Sequence, residues 1–112
     1  MEIRFGSPDL AKVCNCSAST DRRWGREVAA AIRERLYLLA GTPTLELLRE
    51  FPGLMTEPIK LDQDGRLAIT VADGWRFVVQ PDHEPIPYSR NRELDCKSVK
   101  KIVIVEVHRN GR

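Results

Sequence analysis

The sequence predicts an α+β fold of two layers, in which N-terminal helices pack on a small, mainly antiparallel β-sheet. Apolar residues follow a helical period in the first half, and residues 59–77 contain short strands separated by two Asp-Gly loops. Apart from Glu106, the segment 102–107 is apolar on both faces, which is typical of a strand inside a sheet. The 112 residues suffice for one modest core, and no boundary suggests a second unit. We therefore expect a single domain, 1–112.

The N-terminal half is predicted to contain a short strand and three helices. The strand covers 2–5, and a Ser-Pro pair opens a helix over 7–15, since proline is favoured at the first helical position. A longer helix, capped by one of the polar residues 19–21, is predicted to continue to Leu39. A shorter helix follows at 45–49. The longer helix rests on the clearest periodicity in the chain, formed by Trp24, Val28, Ile32, Leu36 and Leu39.

The segment 59–77, IKLDQDGRLAITVADGWRF, predicts three short strands, and their register decides which side chains share a face. A three-residue loop at 72–74 puts Gly74 where such a loop needs a left-handed residue. This loop pairs Val71 with Trp75, Ile69 with Phe77 and Leu67 with Val79. The same rule applied to a loop at 63–65 pairs Leu61 with Leu67 and Ile59 with Ile69.

The predicted register makes one face of these strands wholly apolar and concentrates charge on the other. The polar face carries Lys60, Asp62, Arg66, Thr70 and Arg76. The net charge of the chain is only +2, so an anion-binding surface must come from such local sorting. A basic sheet face is often mere solvated surface, but clustered Lys and Arg also suit phosphate. We expect function on this face.

The same segment resembles a known protein family. The run Pro58-Ile59-Lys60, then Gly65, then Trp75-Arg76-Phe77 is similar to the HigB-like killer toxins of type II toxin–antitoxin modules, in the RelE/ParE superfamily. Those proteins show H-P-L-K-G, K-G-x-W-x-I and N-W-R-I at the same spacing from lysine to Trp-Arg. The opening residues 1–5 and 10–15, and the proline-containing segment 85–99, also look like the family, so the resemblance covers nearly the whole chain.

The resemblance implies a RelE-like fold and a toxin that inhibits translation. Such a toxin is a ribosome-dependent mRNA endonuclease (mRNA interferase), which activates a 2′-hydroxyl against the adjacent phosphate and needs no metal. Lys60 matches the family lysine and is expected to bind phosphate or transfer a proton. Arg76 matches the family arginine and is expected to hold the scissile phosphate. Arg66 joins them only because it lies on the same predicted face.

The chain departs from the family pattern at several positions that matter for acid–base chemistry. Glu57 replaces the histidine before Pro-x-Lys, and Leu61 replaces the glycine after the lysine. The usual C-terminal Asp-Tyr-His aligns with residues 109–111, so Arg109 is expected to bind RNA rather than transfer protons. His108 would substitute as acid or base, oriented by Glu106 two residues earlier. His83, in a proline-containing loop predicted over 81–98, is a weaker candidate.

Two functional hypotheses therefore remain open. The first is an active mRNA endonuclease, neutralised by a cognate antitoxin, with Glu57 or His108 carrying the proton transfers. The alternative is a catalytically degenerate RelE-fold protein that binds RNA, ribosome or antitoxin without cleaving. An unrelated small α+β binding domain is a more remote option.

Composition favours a cytosolic protein without a cofactor. No apolar run approaches the ~20 residues needed to cross a bilayer, and the N terminus lacks the form of a signal peptide. Cys14, Cys16 and Cys96 suit a compartment where thiols stay reduced. The pair Cys14-x-Cys16 is a weak signal for a metal or redox site, because no other ligands stand at zinc-like spacing.

Overall fold

The computed structural model describes residues 1–55, 61–90 and 93–109 and has an α+β architecture. Its strands are β1 (Glu2–Phe5), β2 (Leu67–Ala72), β3 (Trp75–Pro81) and β4 (Lys101–Arg109). Its helices are α1 (Pro8–Asn15), α2 (Ser17–Trp24), α3 (Arg26–Gly41) and α4 (Leu45–Leu48), with a 3₁₀ turn at Cys96–Ser98. These bounds confirm the predicted first strand and first helix and the short helix near 45–49.

The four strands form one sheet in the order β1-β4-β3-β2. β4 is internal, as its apolar sequence predicted, and it pairs antiparallel with β3 and parallel with β1. The sheet is therefore mixed and, as the sequence predicted, mainly antiparallel, since two of its three pairings are antiparallel. The long stretch of chain between β1 and β4 permits their parallel pairing, which a short hairpin loop would not.

The hairpin of β2 and β3 confirms most of the predicted register. Leu67 pairs with Val79 and Ile69 with Phe77, and Gly74 has a φ of +79°. The predicted pair of Val71 and Trp75 is wrong, because Trp75 pairs with Ala72 and Val71 is left as a bulge. The freed carbonyl of Val71 accepts a hydrogen bond of 3.3 Å from the guanidinium of Arg35. The bulge does not change which side chains of the hairpin are buried and which lie on the outer face.

The predicted third strand of this segment is not seen in the described residues. Leu61 and Asp62 belong to no strand, and Ile59 lies outside the described residues. A tight turn follows instead, in which the backbone N–H of Asp62 donates to the carbonyl of Arg66 over 2.8 Å. β2 is consequently an edge strand among the described residues.

The long helix predicted from 19–21 to Leu39 is two helices. α2 starts earlier, at Ser17, and ends at Trp24, and α3 starts at Arg26. Gly25 separates them with a φ of +85°, which only glycine adopts readily. The predicted apolar face persists across the break, because all five of its residues are buried in the core or packed against it: Trp24, Val28, Ile32, Leu36 and Leu39.

The core lies between the helices and one face of the sheet. Ile69, Phe77 and Val79 of the hairpin and Ile102 and Ile104 of β4 are fully buried there. They meet residues from α3 and α4, among them Ile32, Leu39, Leu45 and Leu48. Across the ranges that the structure describes, no helix is both long and apolar enough to cross a membrane. On the opposite, outer face of the sheet, side chains such as Thr70, Glu106 and His108 keep solvent access.

Candidate functional site

The outer face of the sheet is formed by the side chains that alternate with the buried ones. In the hairpin it carries Thr70 and Arg76 at one end and Gln80 toward the other. In β4 it carries Val103 before a bulge and His108 after it. The predicted separation of apolar and polar faces in this hairpin is thus what the structure has.

The bulge in β4 decides which of its side chains reach the outer face. Val79 pairs with Ile104, but Val78 pairs with Glu106, so Val105 is the extra residue. Ile104 is fully buried, and strict alternation would also turn residues 106 and 108 inward. The extra residue reverses that alternation. Glu106 is consequently exposed and His108 half-exposed.

Arg76 and His108 lie directly opposite each other in adjacent strands. The same register places Thr70 opposite Arg76, so Thr70, Arg76 and His108 form one row across three strands, the Arg76–His108 row. Side chains directly opposite in an antiparallel pair have Cβ atoms about 4.5–5.5 Å apart. The row therefore combines a fixed cation, an imidazole and a hydroxyl on one small patch.

Glu106 lies beside His108 on the same strand face. Its Oε1 is 3.5 Å from Nδ1 of His108, an ion pair when the imidazole is protonated. Both side chains keep solvent access, with 42% of His108 and 55% of Glu106 exposed. In the described part of the chain no hydrogen bond engages Nε2 of His108, which leaves that nitrogen for a proton transfer.

Arg76 and Arg66 share an unusual state with Arg35 of α3. The Nε of all three is shielded from solvent and has no hydrogen-bond partner within the described ranges. A buried donor without a partner is unfavourable by about 1–3 kcal/mol, and an anionic ligand would satisfy it. Arg66 and Arg76 are nevertheless separate. Leu67 pairs with Val79, so Arg66, one residue earlier, lies beside position 80 of β3, four residues from Arg76. At the usual strand rise these two arginines are therefore ~13 Å apart along the strand.

Arg66 is positioned by the turn that precedes β2. One carboxylate oxygen of Asp62 accepts hydrogen bonds from the backbone N–H groups of Asp64, at 2.8 Å, and Arg66, at 2.9 Å. Gly65 completes the turn with a φ of +76°. Asp62 thus shapes the backbone of the turn through its carboxylate.

The remaining predicted site residues have separate positions. Lys60 and Glu57 lie outside the described residues. Of the three cations predicted to share the polar face, the structure therefore places only Arg66 and Arg76. Arg109 is exposed, with its guanidinium 5.8 Å from the centre of the Trp75 ring, a cation–π contact. His83 is far along the strand from the row, and its Nε2 accepts hydrogen bonds from the backbone N–H groups of residues 100 and 101.

Sequence reasoning missed Gln80, Asp82 and the role of the bulge. Arg4 and Asp82 form an ion pair of 3.0 Å on the outer face, and the hydrogen bond from Arg4 lowers the pKa of Asp82.

Residues 1–55, 61–90 and 93–109 contain no group of three or more His, Cys, Asp and Glu side chains that could hold a metal ion. No protein-family model, no curated protein and no solved structure matches this chain.

Proposed function

We propose that this protein is the toxin of a type II toxin–antitoxin module and cleaves mRNA on the ribosome. The observation that carries the proposal is the Arg76–His108 row, in which a guanidinium whose Nε has no partner among the described residues faces an imidazole next to a carboxylate. The resemblance of Pro58-Ile59-Lys60 and Trp75-Arg76-Phe77 to HigB-like toxins supports it. The observed arrangement of helices on a mixed sheet is compatible with a RelE-like fold, which remains part of the proposal.

The proposed reaction is a transesterification within the RNA strand. A general base takes the proton of a ribose 2′-hydroxyl, and the oxygen forms a bond to the adjacent phosphorus. The bond from phosphorus to the 5′-oxygen breaks, and a general acid returns a proton to that oxygen. The products are a 2′,3′-cyclic phosphate and a free 5′-hydroxyl, so atoms and charge balance without a metal.

Arg76 is proposed to stabilise the charge that develops on the phosphate. Its guanidinium offers paired N–H donors with the geometry of phosphate oxygens, and it does not give up its proton. Donors held in place before the reaction stabilise the transition state without further reorganisation. Strand β3 supplies this rigidity, because Arg76 is paired on both sides, with Thr70 and His108.

His108 is proposed to carry one of the two proton transfers. Its Nδ1 is next to Glu106, which fixes the ring and favours the tautomer with the proton on Nδ1. Nε2 then takes the proton of the 2′-hydroxyl. The second proton transfer is assigned to Lys60 or Glu57, which the resemblance aligns with the family's lysine and histidine.

The test is cleavage of mRNA on translating ribosomes with variants of the row. Arg76→Ala and His108→Ala are each expected to lower the cleavage rate by about 10²-fold or more, the usual effect of removing a positioned donor or a general base. Arg26→Ala, an exposed arginine of α3, is the matched control and is expected to cleave normally. Intact mRNA on ribosomes shown to be translating would refute the enzyme.

The alternative is a protein that binds RNA, ribosome or antitoxin without cleaving. Arg109 favours it, because this residue stands where the family begins its Asp-Tyr-His ending and is held over Trp75 as a cation. Loss of ribosome binding in Arg76→Ala, together with no cleavage by the unchanged protein, is the outcome expected for this alternative. Co-purification with the product of a neighbouring reading frame would identify the proposed antitoxin.

A further inference from the structure

We propose that a cleft at the other end of the outer face binds a nucleobase of the RNA strand and sets which base lies near the cleaved bond. The inference rests on the proposed function, since it assigns a second subsite on the same face. The cleft has a volume of about 740 Å³ and lies between the sheet and the loop that follows β3. None of the residues that line the cleft belongs to the Arg76–His108 row.

The floor of the cleft is an apolar stretch of the sheet. Val103 and Val105 line it from β4, the second of these being the bulge residue. Gly6 lines it beside them, and a Cβ built on Gly6 would lie 3.8 Å from Val103 Cγ1. Because Gly6 has no side chain, nothing projects from this position into the cleft. An apolar floor about one side chain wide suits the face of a planar base.

The loop that forms the other wall is held to the sheet at three points. His83 accepts backbone hydrogen bonds from residues 100 and 101, at 3.0 and 3.3 Å, and Asp82 pairs with Arg4. Ile86 contacts the turn before β2, because a Cβ built on Gly65 would be 3.4 Å from its Cδ1. The cleft is therefore preformed, which lowers the entropy cost of binding a ligand.

Besides the acidic Glu84, which lines the cleft and is exposed, two polar side chains of the cleft have no side-chain hydrogen-bond partner among the described residues and can recognise a ligand. Arg66 carries the partnerless Nε, and within the described ranges no carboxylate pairs with its guanidinium. Arg4, the other arginine of the cleft, is already neutralised by Asp82. The amide of Gln80 makes no hydrogen bond to the described residues and offers both a donor and an acceptor, as the edge of a base requires.

These groups assign a role to each part of the cleft. The base lies on Val103 and Val105, its edge meets the amide of Gln80, and the phosphate of the same nucleotide meets Arg66. Gln80 and Arg76 are four residues apart on β3, or ~13 Å. That distance spans about four nucleotides at the 3.4 Å spacing of a stacked strand, and fewer in an extended one. One RNA strand can therefore occupy both sites.

The direct test titrates each of the four ribonucleoside 5′-monophosphates into the full chain, followed by ¹⁵N–¹H spectra. The expected shifts are at the amides of Gln80, Val103 and Arg66, with one base binding more tightly than the others. Gln80→Ala is expected to abolish the difference between bases, a loss of about tenfold in the affinity of the preferred one. Gln63→Ala, an exposed glutamine in the turn, is the matched control and is expected to bind as the unchanged protein does.

Inorganic phosphate serves as the second probe. Equal shifts from phosphate and from all four nucleotides would mean an anion site at Arg66 only and would overturn the base subsite. Absence of any shift in the cleft, with well-dispersed spectra for every variant, would also overturn it.

Cleavage on ribosomes separates this inference from the proposed function. Gln80→Ala is expected to change the base found near the cut and to lower cleavage at the preferred base by about tenfold. Base-selective binding without cleavage would support the base subsite and contradict the proposed endonuclease activity. Cleavage with an unchanged base preference in Gln80→Ala would keep the endonuclease and remove the subsite.

Discussion

Arg76 of β3 lies directly opposite His108 of β4, with Glu106 Oε1 3.5 Å from the Nδ1 of that imidazole. The relationship depends on one extra residue, Val105, because without the bulge His108 would face the core beneath the sheet. Bulges often redirect side chains next to active sites. The pair is therefore the best starting point for testing function by mutation.

Glu106→Gln is expected to lower the rate of the proposed cleavage by about tenfold, since an amide orients His108 less firmly. The rate should fall through kcat, with KM nearly unchanged. Glu34→Gln, an exposed change in α3, is the control. An unaltered kcat in Glu106→Gln would show that the carboxylate does not act on His108.

Asp62→Ala is expected to reduce the free energy of unfolding by about 1–3 kcal/mol, because the backbone N–H groups of Asp64 and Arg66 both lose their acceptor. Urea denaturation measures the change, and Asp64→Ala is the neighbouring control. A cost no larger than that of the control would contradict the assigned role of the turn.

Gly25→Ala is expected to destabilise the fold by about 1–3 kcal/mol, since a φ of +85° is strained for any residue with a Cβ. Gly41→Ala is the matched control: Gly41 ends α3, has no positive φ and has open space around a built Cβ. That change is expected to be neutral or stabilising by up to ~1 kcal/mol. Thermal unfolding of both variants measures the two changes in stability. Equal changes in the two variants would rule out strain at Gly25.

Cys14 and Cys16 are expected to react at different rates with iodoacetamide. Burial raises the pKa of the Cys14 thiol to about 11, whereas a hydrogen bond from the Ser19 hydroxyl lowers the pKa of the exposed Cys16. Because the thiolate is the nucleophile, Cys16 should react first near neutral pH, and Cys14 only as the pH approaches 11 or the protein unfolds. Mass spectrometry of partly modified protein measures the order, and early labelling of Cys14 would contradict it.

The hairpin shows how far local sequence rules reach. Alternation of apolar and polar residues between two Asp-Gly loops correctly gave the pairs Leu67–Val79 and Ile69–Phe77, because side-chain period and turn chemistry are both local. The first helix was also predictable, since Ser7 Oγ accepts from the backbone N–H of Leu10 and Pro8 follows it. The pair Val71–Trp75 failed because Trp75 pairs with Ala72 across a two-residue Asp73-Gly74 loop, and Arg35, 36 residues away in the chain, donates to the carbonyl of the bulged Val71.

The sequence alone determined the α+β class, the buried face of the hairpin and the presence of Arg66 and Arg76 on its polar face. These follow from periods of two and 3.6 residues and from the conformations that Gly and Pro permit. Only the tertiary structure decided that β1 runs parallel to β4, that ~13 Å separates Arg66 from Arg76, and that a bulge turns His108 toward Arg76. Those features depend on contacts between distant segments, and the free energy of packing the whole core selects them.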